Sequence, residues 1–315
     1  MTSIAHPIPY QGSKRRLAPI ILEHFPKRID VLYEPFVGSA AVSLAAASRD
    51  VAKSYVLGDS LDELANIWTQ IIEDPGSLAD GYQAIWDAQH DDPRGFYDVV
   101  RDEYNEHGGA ARLLFLLARC VKNAVRFNGA GEFNQSPDKR RLGTRPERMR
   151  KNILGAHSLL RGRARAVAGD YSALLALAGP TDLVYMDPPY QGTSGERDQR
   201  YHQQLDRDRF IKELEGLLGR NVPFIISFDG RSGNRTYGPN LPDSLGLTRL
   251  EIHAGRSSQA TLNGTKDETY ESLYLSPTLA EHAVALERSV QESPQQSLHR
   301  PRLPKWGVLR TPPVG

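Results

Sequence analysis

The sequence contains a single cysteine among its 315 residues. One cysteine excludes an internal disulfide framework and any metal site built from clustered cysteines, and it is typical of a reducing compartment. Long apolar runs are missing as well. The longest, residues 110–121, is interrupted by two arginines and is shorter than the roughly 18–20 residues that a membrane helix requires. Because the first residues also lack the apolar core of a signal peptide, we expect a soluble, cytoplasmic protein with no membrane partner.

Net charge is nearly absent, at +1, but the charges are unevenly distributed. Residues 121–165 contain twelve Lys and Arg against three Asp and Glu, a local charge of +9, so the rest of the chain carries −8. A basic block in a balanced chain favours a surface that faces a polyanion such as nucleic acid. A solvated, loop-rich face is the alternative that charge alone leaves open.

Short apolar segments alternate with helical ones along much of the chain. Strands are predicted at residues 30–36, 54–58, 164–169, 182–186, 223–228, 247–253 and 271–275. A capping box at Ser60–Glu63 predicts a helix start directly after the second strand. Strands that alternate with helices predict an α/β fold, with a mostly parallel sheet and helices on both faces.

The alternation pauses between residues 62 and 163, which hold helices and then a stretch rich in Gly, Asn and Arg. We therefore predict a catalytic domain made of residues 1–61 and 164–278, with residues 62–163 as an inserted, mainly helical recognition subdomain. Five of the 21 prolines lie between residues 281 and 315, and the region is polar. Residues 279–315 are therefore predicted to form a flexible tail.

The sharpest motif is Asp187-Pro188-Pro189-Tyr190, directly after the predicted strand 182–186. Ligands of open α/β sheets bind beyond the carboxyl ends of strands. The two prolines stiffen the loop because each fixes its own φ and restrains the residue before it. A carboxylate and backbone carbonyls accept hydrogen bonds from an exocyclic amine, and an aromatic ring stacks on a planar base. The motif is predicted to seat a flipped nucleobase, and a rigid surface turn is the alternative.

Three further segments point to a nucleoside cofactor. Gly38, in the turn after the first strand, lets a ligand approach the backbone at a helix start. Asp59 ends the second strand 21 residues later, where an acid typically binds ribose hydroxyls, although a helix cap is the alternative. The segment from Tyr10 to Lys14 combines a Gly turn with a lysine that suits a carboxylate or phosphate, without the spacing of a P-loop.

These four segments occur in one order, and with them the chain resembles the Dam-type N6-adenine DNA methyltransferases. The matching segments are PIPYQGSKRRLAPII, YEPFVGSAAVSLA, LGDSLDELANIW, AGDYSALL and VYMDPPYQGT, and FNGAGEFNQSPDKR is similar to the family's DNA-contacting hairpin. The resemblance implies a Rossmann-like fold of the S-adenosylmethionine-dependent methyltransferases. It also implies S-adenosyl-L-methionine as cofactor and transfer of its methyl group to N6 of adenine in a specific duplex DNA sequence, with base flipping.

The resemblance also assigns roles position by position, and no metal is among the implied ligands. Asp187, Pro188 and Tyr190 match the catalytic motif. The positions that match the cofactor site are Tyr10, Lys14, Glu34, Pro35, Phe36, Gly38, Asp59, Asp170 and Tyr171. The family's turn often has a further Gly where Ala40 stands, a change that we expect to be tolerated.

The basic insertion is then predicted to bind double-stranded DNA through Arg126, Phe127, Asn128, Asn134, Lys139, Arg140 and Arg141. The three consecutive basic residues suit phosphates, whereas Arg126 and Asn128 suit guanine and adenine edges. Phe127 or Phe133 is expected to enter the space left by the flipped base. Asn128 beside Gly129 also suits a tight turn. Because the residues after Asn134 depart from the family's hairpin, the family's recognition sequence is not carried over.

Two other interpretations stay open at this point. One is a methyltransferase that acts on RNA adenine or on cytosine N4, although enzymes of the latter kind more often have Ser where this chain has Asp187. The other is a catalytically weak DNA-binding protein with a methylase fold. A cognate restriction endonuclease that acts separately is a partner that the resemblance allows.

Overall fold

The structure, a computed structural model, describes residues 4–189, 205–232, 235–237, 240–256 and 268–279. The predicted site residue Tyr190 and the predicted tail beyond residue 279 lie outside these described residues. Within the described ranges, no helix is long and apolar enough to cross a membrane.

The described ranges contain eight strands and nine α-helices. The strands are β1 (Ile29–Glu34), β2 (Ala52–Asp59), β3 (Ala164–Ala168), β4 (Leu183–Met186), β5 (Phe224–Ser232), β6 (Arg235–Tyr237), β7 (Thr248–Arg256) and β8 (Glu268–Leu275). The helices are α1 (Ala18–Ile21), α2 (Ala41–Ser48), α3 (Asp62–Glu73), α4 (Pro75–Asp87), α5 (Pro93–His107), α6 (Ala110–Arg119), α7 (Pro146–Leu160), α8 (Tyr171–Leu177) and α9 (Arg207–Gly219). All seven predicted strands are present, and the three-residue β6 is an addition to them.

The strands form one sheet in the order β3-β2-β1-β4-β5-β8-β7, with β6 paired to β5. Neighbours from β3 to β5 run parallel, whereas β8 runs antiparallel to both β5 and β7. This confirms the predicted α/β fold with a mostly parallel sheet. The chain fills one half of the sheet from β1 to β3 and then the other from β4, so the strand order reverses between β1 and β4. A crevice opens at the carboxyl ends of the strands where such a reversal occurs.

Both faces of the sheet are buried, which explains why the central strands are almost continuously apolar. All four residues of β4 are buried. In β1, Leu32 packs into a large core with residues of α2, α3, α6 and α7, whereas Tyr33 packs into a second core with residues of α8 and α9. The two cores hold the sheet between helices and fix the ends of β1 and β4 that border the crevice.

The predicted capping box at Ser60–Glu63 is wrong. Helix α3 begins at Asp62 behind Leu61, and no side chain caps its first turn. The physical reason is a shift of one residue: Leu61, with φ of −89° and ψ of 104°, occupies the N-cap position, so Ser60 lies one residue too early to cap the helix. The Asp59 carboxylate, at the end of β2, accepts the Leu61 N–H at 3.0 Å and holds the segment that leads into α3.

Helix α3 joins the sheet to the other helices of residues 62–163. It packs on β2 and β3, and it also contacts α4, α6 and α7. Trp68 of α3 is fully buried, in the same core as residues of β1 and α6. The division into a catalytic domain and an insertion stays a prediction, and α3 and α7 are elements through which the two parts pack together, since α7 contacts α2.

A buried arginine organises the basic segment that follows α6. Arg119 is 3% exposed. Its guanidinium donates to Gln89 Oε1 at 2.9 Å and to the backbone carbonyls of Pro93 at 2.8 Å and Asp138 at 2.9 Å. It also donates to the carbonyl of Arg141. A single cation thus ties the segment around residues 138–141 to the helical region.

We expect Arg119→Met to lower the free energy of unfolding by about 3 kcal/mol or more, because several buried carbonyls lose a charged donor. Arg150→Ala is the matched control, since Arg150 pairs with the exposed Asp80 and surface pairs contribute at most about 1 kcal/mol. Denaturant unfolding of both variants measures the difference. Equal losses would show that Arg119 is an ordinary surface cation in energetic terms.

Candidate active site

A pocket opens at the carboxyl ends of β1, β2 and β4, where the reversal of strand order predicts a crevice. Its space is about 860 Å³, including the opening to solvent. The predicted site residues that line it are Tyr10, Lys14, Glu34, Phe36, Gly38, Asp59, Asp187 and Pro188. The fold therefore brings four sequence segments to one pocket. Three of them follow the parallel strands β1, β2 and β4, whose carboxyl ends lie at one edge of the sheet, and the fourth is the N-terminal segment.

The turn after β1 has a backbone that only particular residues adopt. Gly38 has φ of 44° and Ala40 has φ of 48°, both in the left-handed region. A Cβ atom at Gly38 would lie 3.2 Å from the Tyr10 ring, so the glycine permits both the conformation and the approach. The indole N–H of Trp68 donates to the Gly38 carbonyl at 3.0 Å. The sequence does not predict this bond, because nothing in the spacing links residues 38 and 68.

Asp59 ties this turn to the end of β2. One carboxylate oxygen accepts the Gly38 N–H at 3.2 Å, and the other accepts the Leu61 N–H at 3.0 Å. The Val37 N–H also donates to the Gly58 carbonyl at 2.8 Å. Asp59, which is predicted to bind ribose hydroxyls, thus also connects the ends of β1 and β2 beside the pocket.

Glu34, the last residue of β1, is 3% exposed. The backbone N–H and the hydroxyl of Ser43 donate to the same Glu34 oxygen, at 3.0 and 2.5 Å. Burial raises the pKa of Glu34 to about 8, against the hydrogen bonds from Ser43, which lower it, and with a smaller contribution from the negative charge of Asp187. Glu34 is therefore mainly protonated at neutral pH and adds little negative charge to the pocket.

Lys14 is the cation at the centre of the pocket. It begins a short 3₁₀ turn, Lys14–Arg16, and its side chain is 5% exposed. Its ammonium lies 2.9 Å from Asp187 Oδ2, 3.4 Å from Glu271 Oε2 and 3.2 Å from the Gly12 carbonyl. Glu271 belongs to none of the sequence motifs. The available signal was a carboxylate in the predicted strand 271–275, whose other residues are apolar or small.

The remaining cofactor residues lie beside the pocket rather than among the residues that line it. The Phe36 ring, which lines the pocket, lies 5.1 Å from the Tyr171 ring. The Asp170 carboxylate caps α8 through the Ser172 N–H at 2.9 Å. The guanidinium of Arg209 donates to both of its oxygens, at 2.7 and 3.0 Å. Pro35 follows Glu34 and does not line the pocket. The Phe36 ring thus connects Tyr171 to the pocket.

The predicted DNA hairpin is a tight antiparallel loop around Asn128. Phe127 and Phe133 form an isolated bridge across it, and the Asn134 N–H donates to the Arg126 carbonyl at 3.0 Å. The Asn128 side-chain oxygen accepts the N–H groups of Ala130 and Glu132, both at 2.9 Å. This geometry favours the tight-turn interpretation of Asn128 over base reading.

The two hairpin phenylalanines are buried rather than presented to a ligand. Phe127 is 8% and Phe133 is 1% exposed, and their rings meet edge to face with centroids 5.8 Å apart. Phe133 also packs on Tyr104 of α5 at 6.0 Å. In this conformation the two rings pack the hairpin against α5.

The root of the hairpin borders the pocket. Val125 lines the pocket together with the strand-end residues. The Gln11 N–H, in the N-terminal segment, donates to the Asn123 carbonyl at 2.9 Å. The segment that leads into the predicted DNA-contacting hairpin therefore contacts the predicted cofactor segment.

The basic residues that follow the hairpin are exposed. Lys139, Arg140 and Arg141 lie at the surface. Asp138 partly neutralises this positive charge, because its carboxylate lies 2.8 Å from Arg141 Nη2 and 3.7 Å from Arg140 Nε. These residues border a second depression together with Arg94 and the buried Arg119.

The chain is similar to known proteins over most of its length. The model of the D12 class N6 adenine-specific DNA methyltransferases matches residues 10–229. A DNA N-6-adenine-methyltransferase of Escherichia phage P1 is 31% identical over 165 residues, which are 51% of this chain. The type II methyltransferase M1.LlaDCHI of Lactococcus lactis subsp. cremoris is 25% identical over 58% of this chain, and the Retron Ec67 DNA adenine methylase of Escherichia coli is 25% identical over 80% of it.

The lengths of these relatives differ from the length of the match. The aligned region spans 21% of the phage P1 protein, 64% of the lactococcal methyltransferase and 87% of the retron methylase. The phage protein therefore has large parts that this chain does not match.

The buried Glu34 leads to a prediction about pH. Its folded pKa of about 8 exceeds the reference value of 4.5, so its contribution to stability is complete below pH 4.5 and is lost as the pH rises toward 8. Glu34→Gln keeps an acceptor for Ser43 and cannot ionise. Between pH 4.5 and 8 we expect the free energy of unfolding of the variant to rise, relative to that of the wild type, by up to about 1.4 kcal/mol per pH unit. Denaturant unfolding across the window measures it, and parallel pH curves would contradict the prediction.

Proposed function

Because the chain belongs to the D12 class of N6 adenine-specific DNA methyltransferases, we propose that it transfers a methyl group from S-adenosylmethionine to N6 of adenine in a specific duplex DNA sequence. One observation carries the proposal. Asp187 and Pro188, which follow β4, line the same pocket as the Gly38 turn after β1 and the Asp59 carboxylate after β2. A seat for an amine and a seat for a nucleoside cofactor thus share one crevice.

The residues of the pocket fit S-adenosylmethionine. Gly38 leaves the backbone open where a Cβ atom would crowd the Tyr10 ring. Asp59 is a carboxylate at the end of β2, where ribose hydroxyls are bound in this type of sheet, and Phe36 offers an aromatic face. Asp59 and Asp187 make the pocket suitable for a cation. The cofactor, when bound, supplies an electrophilic methyl group on a positively charged sulfur.

The target amine needs acceptors more than a strong base. The N6 lone pair of adenine is delocalised into the ring, so N6 is a poor nucleophile. We propose that the Asp187 carboxylate and the Pro188 carbonyl accept hydrogen bonds from the amino group. Such acceptors favour a pyramidal nitrogen and stabilise the positive charge that develops on it. The stiff double-proline loop positions them in advance.

The base must leave the duplex to reach these acceptors, since they lie inside a pocket. Extrusion costs a few kcal/mol, offset by hydrogen bonds and stacking in the pocket. We propose that Tyr190 provides the stacking ring, on the basis of its place in the motif. The contact between the hairpin root and the pocket supports coupling between DNA binding and base insertion, because Val125 belongs to both.

One set of residues is proposed to bind DNA phosphates, and another is proposed to read the bases. We propose that Lys139, Arg140 and Arg141 bind phosphates, because they are exposed and positively charged. Phosphate contacts position a protein on DNA without reading the base sequence. Arg126 is the favoured base reader of the hairpin. Asn128 is a weaker candidate than the sequence implies, because its side chain already closes the loop. The exposed Asn134 follows the hairpin on the same surface.

The biological setting of the proposed activity follows from DNA as substrate. DNA and S-adenosylmethionine must occur in one compartment, which supports the cytoplasmic location expected from the sequence. The names of similar proteins include type II methyltransferases and modification methylases. They support a role in a restriction-modification system, with a cognate endonuclease acting separately on the same DNA sequence.

We expect Asp187→Ala to reduce methyl transfer by at least about 100-fold, by analogy with the loss of one preorganised polar group. Incorporation of labelled methyl groups into duplex DNA measures the rate, and calorimetry is expected to show that much of the cofactor binding is retained. The exposed Asp208→Ala on α9 is the control and should keep wild-type turnover. Turnover of Asp187→Ala near the wild-type rate would remove Asp187 from the mechanism.

The same assay separates the alternatives. Mass spectrometry of the product nucleosides distinguishes N6-methyladenine from N4-methylcytosine, and parallel reactions with duplex DNA and RNA identify the substrate. Cofactor binding without any methylated product would favour a DNA-binding protein with weak catalysis.

We expect the combined substitution of Lys139, Arg140 and Arg141 by Ala to weaken DNA binding and flatten its salt dependence, by up to about 0.9 slope units per lost phosphate contact. Arg126→Ala is expected to relax the methylated sequence instead, at about 1–3 kcal/mol per lost base contact. Salt titrations and methylation of a randomised DNA library measure both. A changed sequence preference in the triple variant, with an unchanged one in Arg126→Ala, would reverse the two assignments.

A further inference from the structure

Lys14, which lines the pocket, pairs with a second carboxylate that no motif predicts. Glu271 lies on β8, 257 residues along the chain from Lys14, and its Oε2 atom is 3.4 Å from the Lys14 ammonium. Asp187 Oδ2 is 2.9 Å from the same ammonium. Two carboxylates from different parts of the sheet therefore share one cation.

The fold directs Glu271 to this place. Residues two apart in a strand share a face, and Leu273 and Leu275 of β8 belong to the large core that also contains residues near the pocket. Glu271 continues that buried face toward the pocket. The pairing of β5 with β8 shifts register between Ser227 and Gly230, so two residues of β5 face one of β8 directly beside Glu271. Such bulges bend a strand and change the aim of side chains near active sites.

The energetic reason for a second carboxylate lies in the burial of Lys14. A buried ammonium without a partner costs several kcal/mol, and Lys14 is 5% exposed. Asp187 can serve as the partner only while it is not engaged elsewhere. In the proposed reaction Asp187 must accept hydrogen bonds from the target amine, which weakens its pairing with Lys14. Glu271 supplies negative charge to the ammonium during that exchange.

We propose that Glu271 is a positioning residue that holds Lys14 and so releases Asp187 to accept the amino group of the target base. The catalytic part of this inference rests on the proposed function, whereas the pairing of Glu271 with Lys14 does not. Without Glu271, the whole charge of Lys14 acts on Asp187, and the carboxylate is held away from the target amine.

The first test measures pairing without any turnover. Glu271→Gln is made in the full chain and in the Lys14→Met background, and the midpoint of denaturant unfolding is measured for all four proteins. Glu271→Gln is expected to lower the midpoint when Lys14 is present. In the Lys14→Met background it should leave the midpoint unchanged or raise it, because the loss of one carboxylate relieves repulsion. Equal shifts in both backgrounds would overturn the pairing.

The second test measures the consequence for catalysis. We expect Glu271→Gln to lower kcat by about tenfold, which corresponds to 1.36 kcal/mol in the barrier, with little change in KM for DNA, since Glu271 is not assigned to DNA binding. Glu271→Asp, which keeps the charge on a shorter side chain, should recover part of the loss. Glu251→Gln is the matched control, because Glu251 lies on the neighbouring β7 and pairs with Arg249 at 3.9 Å.

The two tests separate the inference from the proposed function. A wild-type protein that makes no N6-methyladenine would contradict the proposed function and with it the catalytic role of Glu271, while the unfolding experiment would still decide the pairing. An active wild type with an unchanged kcat in Glu271→Gln would overturn the positioning role and leave the proposed function intact. An equal loss of kcat in Glu251→Gln would assign the effect to the sheet as a whole and also overturn it.

Discussion

The reversal of strand order between β1 and β4 is the constraint on which the site depends. The chain adds β2 and β3 on one side of β1 and then returns to place β4 on the other side. The loops after β1 and β4 therefore diverge and leave a crevice between them. Since both strands are buried on both faces, their ends cannot move independently. The Gly38 turn and the Asp187 loop are held by the most rigid part of the sheet, as a site that works by positioning requires.

Buried charge is the second organising element. Lys14 and Glu34 are almost fully buried, so the charge of each must be compensated or neutralised, whereas Asp187 and Glu271 are 21% exposed. Glu34 is largely protonated at neutral pH, because burial raises its pKa to about 8. Lys14 lies between two carboxylates. The pocket keeps net negative charge, which favours a cation such as the sulfonium of the proposed cofactor.

The helical region links this pocket to a basic surface. Helix α3 packs on the sheet and on α4, α6 and α7, and the hairpin that follows α6 returns to the pocket through Val125. Arg119 and the paired phenylalanines fix the two segments that carry the exposed cations and Arg126. The hairpin thus connects the proposed DNA-binding residues to the pocket, as a reaction on an extruded base requires.

The sequence by itself determined the features that depend on neighbours along the chain. Apolar runs such as residues 182–186 predicted the strands, and alternation with helices predicted the parallel sheet. The turn at Gly38, the acid at Asp59 and the Asp187 motif were recognisable because each is a local pattern at a strand end. Their convergence followed from one general rule about parallel sheets, and the pocket contains all three.

Only the tertiary structure decided which distant groups meet. Glu271 joins Lys14 because β8 inserts between β5 and β7 with a shift in register, and no local pattern encodes that pairing. Asn128 suited both a base contact and a turn. Its side-chain oxygen accepts two backbone N–H groups, which favours the turn. Ser60 does not cap α3, because Leu61 occupies the N-cap position. In each case the sequence offers a polar group of suitable chemistry, and three-dimensional distance, which sequence spacing does not contain, decides which partner it meets.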